Sequence, residues 1–140
     1  MKQNILLALT VAGLLFSGYL GGLKLFSDTC AFNETCATFL GYPTCYYGFA
    51  MYLLIFVLLL ASRFGKMGVS RARYGVAGIS FAGILFSGYY SFRELSTLLR
   101  GDISDFLLGL PTCAYGFIMY VAILGFALSS IREIQKKKLN

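Results

Sequence analysis

Histidine and tryptophan are absent from this chain, and Asp, Glu, Lys and Arg together make up only 13% of it. Without histidine, and with no CxxC spacing among its four cysteines, the usual zinc ligand sets are missing, so no metal site is expected. The little charge there is falls unevenly. Residues 3–23, 35–62, 74–92 and 106–131 contain none of the four charged residue types. With no charge deep inside these stretches, the sequence argues against a proton relay or an ion pathway, both of which depend on embedded ionisable groups.

What fills the stretches is apolar. Hydrophobic residues are 58% of the chain, more than a soluble protein of this size can keep from water. A helix needs about 20 mostly apolar residues to cross the hydrocarbon core. Each stretch therefore accommodates one span and none accommodates two. Helices are expected near Ile5–Phe26, Pro43–Ser62, Tyr74–Phe92 and Pro111–Ile131. Met1-Lys2 before an apolar run has the outline of a secretory leader, but no small-x-small cleavage pattern closes it. The same segment recurs inside the chain, so a retained helix is expected. The lipid bilayer is the first partner.

Lys2, Arg63, Lys66, Arg71, Arg73, Arg132, Lys136, Lys137 and Lys138 fall on one side of a four-span arrangement; Lys24, Arg93 and Arg100 fall on the other. The excess of positive charge predicts a multi-pass protein of the cell membrane with both termini cytoplasmic. The net charge of +6 is thus a topology signal. No nucleic-acid partner is expected, because the basic residues flank spans and have no soluble domain to sit on.

The chain repeats itself. Residues 12–19 read AGLLFSGY and residues 82–89 read AGILFSGY; residues 43–52 read PTCYYGFAMY and residues 111–120 read PTCAYGFIMY. The offsets are 70 and 68 positions, and the difference falls in a loop, where length changes are tolerated. Each copy holds two spans, so the copies keep one orientation about a pseudo-two-fold axis along the membrane normal. The expected fold is all-α: one integral membrane domain over 1–140, a four-helix bundle of two parallel helix-loop-helix repeats, 5–63 and 74–132.

The repeated residues have structural readings. Pro43 and Pro111 suit a first helical turn, where the missing N–H costs nothing. Gly13, Gly18, Gly48, Gly83, Gly88 and Gly116 permit close helix contact. Tyr19, Tyr52, Tyr89 and Tyr120 either line a shared interior, as cofactor-binding residues, or anchor at the membrane interface. Lys24 and Glu94, 70 positions apart, either snorkel or pair at the outer mouth.

All four cysteines lie on the side away from most of the basic residues. In a bacterial or archaeal host that is the extracytoplasmic face, where disulfides persist. Cys30 and Cys36 are separated by five residues in a polar loop and form either a redox pair or a static staple. Cys45 and Cys113 open two helices, where the helix dipole favours a thiolate, the form that attacks disulfides. Their other reading is as small buried apolar residues.

Ser17-Gly18-Tyr19 in helix one, the pair Cys30 and Cys36, and Gly41-Tyr42-Pro43 leading to Gly48 and Tyr52 resemble the vitamin K epoxide reductase family. The resemblance implies a four-helix membrane bundle that passes electrons from extracytoplasmic protein thiols to a quinone. Cys30 and Cys36 would exchange with a thiol protein, and Cys113 falls where the quinone-side pair is expected. The family has a CxxC there, whereas residues 113–116 read CAYG; Cys45 would supply the missing thiol. Two other classes fit the sequence. One is a non-catalytic four-helix module binding a lipid-like ligand or a partner protein. The other is a small transporter acting as a homo-oligomer, a dimer.

Overall fold

A computed structural model describes residues 2–27, 38–98 and 112–140. Among them are four helices long and apolar enough to cross a membrane: α1 (Lys2–Ser27), α2 (Thr44–Arg63), α3 (Val69–Leu98) and α4 (Thr112–Leu139). In lipid no water is available to take up backbone N–H and C=O groups, so an apolar segment satisfies them within itself by forming a helix. Several glycines sit inside these helices at tolerable cost for the same reason.

The helices outrun the charge-free stretches. α3 starts at Val69 rather than near Tyr74, and α4 continues to Leu139 rather than Ile131. Arg71, Arg73 and the lysines near the end of α4 are good helix formers, so loss of apolar character does not stop the helix.

A two-strand hairpin precedes α2, which the sequence reading did not anticipate. β1 (Thr38–Phe39) pairs antiparallel with β2 (Tyr42–Pro43). The turn residues Leu40 and Gly41 both have positive φ, 52° and 86°, as a two-residue turn of this hand requires. Pro43 ends β2 and caps α2, one position before the first helical turn. Tyr47 donates a hydrogen bond from its hydroxyl to the Phe39 carbonyl at 3.1 Å and stacks edge-on against the Phe39 ring, tying the hairpin to α2.

At its other end α2 closes with a glycine cap. Gly65 takes φ 70°, its N–H donates to Ser62 O, and the Lys66 N–H donates to Ala61 O at 3.0 Å. This is the paired hydrogen bonding of a Schellman motif, and it turns the chain directly into α3.

α1 packs on α2 and α4, and α3 packs on α4 and α2. The Arg63 guanidinium donates to the Asn4 side chain at 3.1 Å, and the Gln135 amide donates to the Tyr74 hydroxyl at 3.1 Å. These bonds gather the start of α1, the 64–68 turn and the last part of α4 at one end of the molecule, called here the basic end. The first turns of α2 and α4 lie at the opposite, cysteine end.

Burial runs opposite to a soluble protein. Large apolar side chains face outward, among them Leu15 at 70% exposure and Leu85 at 61%. The interior holds Leu6, Ile55, Leu59, Val76, Ile123 and Ala127, but also Thr10, Ser17, Ser80 and Ser87. Lipid is as apolar as leucine, so helices associate through close packing and small or hydroxyl side chains rather than by hiding hydrocarbon.

Candidate functional site

The helix face that carries Gly13, Ser17 and Leu20 recurs at i, i+4 and i+7, and the matching face of α3 carries Gly83, Ser87 and Tyr90. Leu20 and Tyr90 are buried, as are Ser17 and Ser87. On α2 the inward face carries Cys45, Gly48 and Tyr52, and on α4 Cys113, Gly116 and Tyr120. These faces border a cavity, open to the outside, that is lined almost wholly by apolar surface.

Two stacked tyrosines close the cavity on the side of the core. The rings of Tyr52 and Tyr120 lie 4.4 Å apart and only 8° from parallel. Each hydroxyl crosses to the opposing helix: Tyr52 donates to the Gly116 carbonyl at 3.2 Å, and Tyr120 donates to the Gly48 carbonyl at 3.1 Å. Both rings are 2% exposed, so these bonds satisfy hydroxyls that burial would otherwise leave stranded.

Glycine makes room for the tyrosines. A Cβ at Gly13 would overlap the Tyr52 ring, and one at Gly83 would come within 2.7 Å of the Tyr120 ring. Gly18 and Gly88 do the same for Phe49 and Phe117, at 3.3 and 3.2 Å. Gly48 and Gly116 act differently from expectation: a Cβ there meets nothing within 4 Å. They border the cavity, so the missing side chains leave space rather than admit a neighbouring helix.

The hydroxyls in the wall are turned inward on their own helices. Ser17 donates to the Gly13 carbonyl at 2.7 Å and Ser87 to the Gly83 carbonyl at 2.6 Å. That back-bonding is usual for serine inside a helix. It keeps the cavity apolar in character despite two serines in its lining.

Cys45 and Cys113 are both half-buried and both line the cavity. Each is the second residue of its helix, among the first-turn N–H groups that have no partner within the helix. The two are not disulfide-bonded to one another. Cysteine 45 stands two helical turns from Tyr52, about 10 Å along the axis, so the thiols mark the mouth and the tyrosines the floor.

The structure thus brings together Cys45, Cys113, Tyr52 and Tyr120. Tyr19 and Tyr89 are elsewhere: they are 63% and 59% exposed and do not line the cavity. Two positions along a helix turn a side chain by about 200°, so Tyr19 points nearly opposite to Ser17. The residues that share the site without having been singled out are Phe16, Phe86, Ser87, Leu20 and Tyr90. Phe16 and Phe86 stood in the repeated FSGY string, and the helical phase of Gly13 and Ser17 would have found them. Cys30, Cys36 and Pro111, and the side chains of Lys24 and Glu94, lie outside the described residues.

No family model, no curated protein and no solved structure matches this chain.

Proposed function

We propose that the chain is a membrane thiol-disulfide oxidoreductase of the vitamin K epoxide reductase type, oxidising extracytoplasmic thiols and reducing a quinone. The observation that carries this reading is that Cys45 and Cys113, each at a helix N-terminus, line one apolar cavity with a stacked aromatic floor. A flat quinone ring suits such a pocket, because apolar walls surround it.

The reaction balances within the groups named. The Cys45 and Cys113 thiols lose two electrons and two protons and one S–S bond forms. The quinone takes up both electrons and both protons and leaves as the hydroquinone. The resulting disulfide is reduced by a thiol pair, Cys30 and Cys36, through a mixed disulfide, and that pair in turn oxidises a thiol protein outside the membrane.

The same reading includes two parallel repeats about a pseudo-two-fold axis, with both termini in the cytoplasm. Reciprocal features support it. Tyr52 with Gly116 is matched by Tyr120 with Gly48. The Phe16–Tyr115 ring contact between α1 and α4 is matched by Phe86–Tyr47 between α3 and α2. The bilayer orientation rests on the basic residues.

A second reading is favoured by the hydroxyl bonds. Both tyrosine hydroxyls are engaged by backbone carbonyls, and both serines by their own helices. Such a cavity suits a passive apolar ligand, as in a non-catalytic membrane module.

The deciding experiment is quinone reduction by the purified chain with a dithiol donor, compared with Cys45→Ala and Cys113→Ala. Loss of turnover in either variant is expected. Unchanged turnover in both defeats the oxidoreductase, and quinone binding that survives without turnover in the parent protein selects the passive module.

A further inference from the structure

The hairpin ahead of α2 carries a leucine where its turn does not call for one. Leu40 takes φ 52°, a conformation that Gly, Asn and Asp adopt more easily than a bulky side chain. Packing on the helices does not account for it, since Leu40 is 80% exposed. Phe39 and Tyr42, the residues paired across the turn, are 40% and 62% exposed. A strained apolar residue held outward, between two exposed rings, points to a contact outside the chain.

The level of the hairpin identifies that contact. α2 has 20 residues, about 30 Å of helix, which matches the hydrocarbon thickness of a bilayer. Its first turn therefore lies at the edge of the hydrocarbon, where the headgroups begin. The hairpin stays at that edge instead of rising into water. Tyr47, the fourth residue of α2, holds the Phe39 carbonyl through its hydroxyl. The Phe39 ring stands 5.3 Å from the Tyr47 ring and 5.7 Å from the Phe86 ring. Phe86 belongs to the apolar span of α3, which ends at Arg93, about 10 Å further along the axis. The hairpin is thus packed against the flank of the helices and not stacked above their ends.

Its composition fits that layer. Residues 35–62 carry no charge, so no ionised group of the hairpin holds it in water. Tyrosine prefers the headgroup level, and leucine the acyl chains beneath it. The free backbone groups of two short strands set the lower limit, because open strand edges are not stable deeper in hydrocarbon. We propose that the 38–43 hairpin is an interfacial anchor, whose Leu40 and Tyr42 side chains enter the headgroup layer of the bilayer at the cysteine end. The anchor rests on level and composition and does not depend on the redox reading of the cavity. It sets the depth of α2, and through the Phe39–Phe86 contact it braces a residue of the cavity wall.

The chain has no tryptophan, so Tyr42→Trp reports from the hairpin alone. The test is the fluorescence of that full-length variant in phosphatidylcholine vesicles, with and without lipid brominated in the upper part of its acyl chains. The emission should be blue-shifted from that of tryptophan in water, and brominated lipid should quench about half of it, as for a ring at headgroup level. Leu40→Asn in the same background keeps the turn, since asparagine takes positive φ readily. Without the leucine to hold the tip down, quenching should fall about twofold. Water-like emission that iodide quenches and brominated lipid does not overturns the anchor. Emission that turns blue only when reduced thioredoxin is added, as a probe thiol protein, makes a protein the occupant and also overturns it. Quenching that Leu40→Asn leaves unchanged removes Leu40 from the contact and overturns the proposal as stated.

Discussion

The two ends of the molecule use the repeated sequence in opposite ways. At the cysteine end matching residues do matching work: both tyrosines cross to a glycine carbonyl, and both serines bond their own helix. At the basic end the matches break. Arg73 stands where the first copy has Gln3, and buried Ile131 stands where it has exposed Arg63. Thr10 donates to the Leu6 carbonyl at 2.7 Å, while its counterpart Ser80 has a buried hydroxyl without a partner among the described residues. A shared central pocket needs both copies alike, because each supplies half of one wall. At the far end the matched positions named here carry different side chains.

The sharpest way to break this comparison is at the glycines beneath the tyrosines. Gly13→Ala and Gly83→Ala should each destabilise the protein by about 1–3 kcal/mol through overpacking, and by similar amounts. Unfolding in detergent measures both, and a large effect at only one position would show that the cysteine end is not reciprocal. Tyr52→Phe and Tyr120→Phe come next: each removes one cross-helix hydrogen bond, at a cost of about 0.5–1.5 kcal/mol. Because the rings touch, the double variant should depart from the sum of the two, as coupled neighbours do.

A smaller effect separates the ends. Thr10→Ala should cost about 1 kcal/mol by losing a satisfied hydroxyl and a methyl group. Ser80→Ala removes a hydroxyl with no partner and should be neutral or mildly stabilising. Equal losses at both positions would mean that Ser80 finds a partner after all. The smallest change is expected at Gly22→Ala and Gly78→Ala, where an added Cβ meets nothing within 4 Å among the described residues. Thermal midpoints there should match or slightly exceed the parent, since alanine is the better helix former.

Much of the fold could be read along the chain. Four gaps in the charge pattern located four helices, and Cys45 and Cys113 fell in first turns as the prolines before them implied. The hairpin at 38–43 was missed because its strands are two residues each and its turn pairs Leu40 with Gly41. Leucine rarely takes positive φ, so only the glycine hinted at a turn. Half of the tyrosine reading found the cavity and half did not: Tyr52 and Tyr120 are in it, while Tyr19 and Tyr89 face outward. Repetition marks a residue as equivalent to its copy without saying which way either one points.

Composition and charge spacing determined that the chain suits lipid and where the four apolar helices of the described residues lie, and the repeated strings determined which residues correspond between the copies. Only the packed structure decided which face of each helix turns inward. In water a helix shows its inner face by being more apolar than the outer one. In a bilayer both faces are apolar, so contact geometry does the choosing: a glycine where a ring must pass, a hydroxyl where a carbonyl can take it.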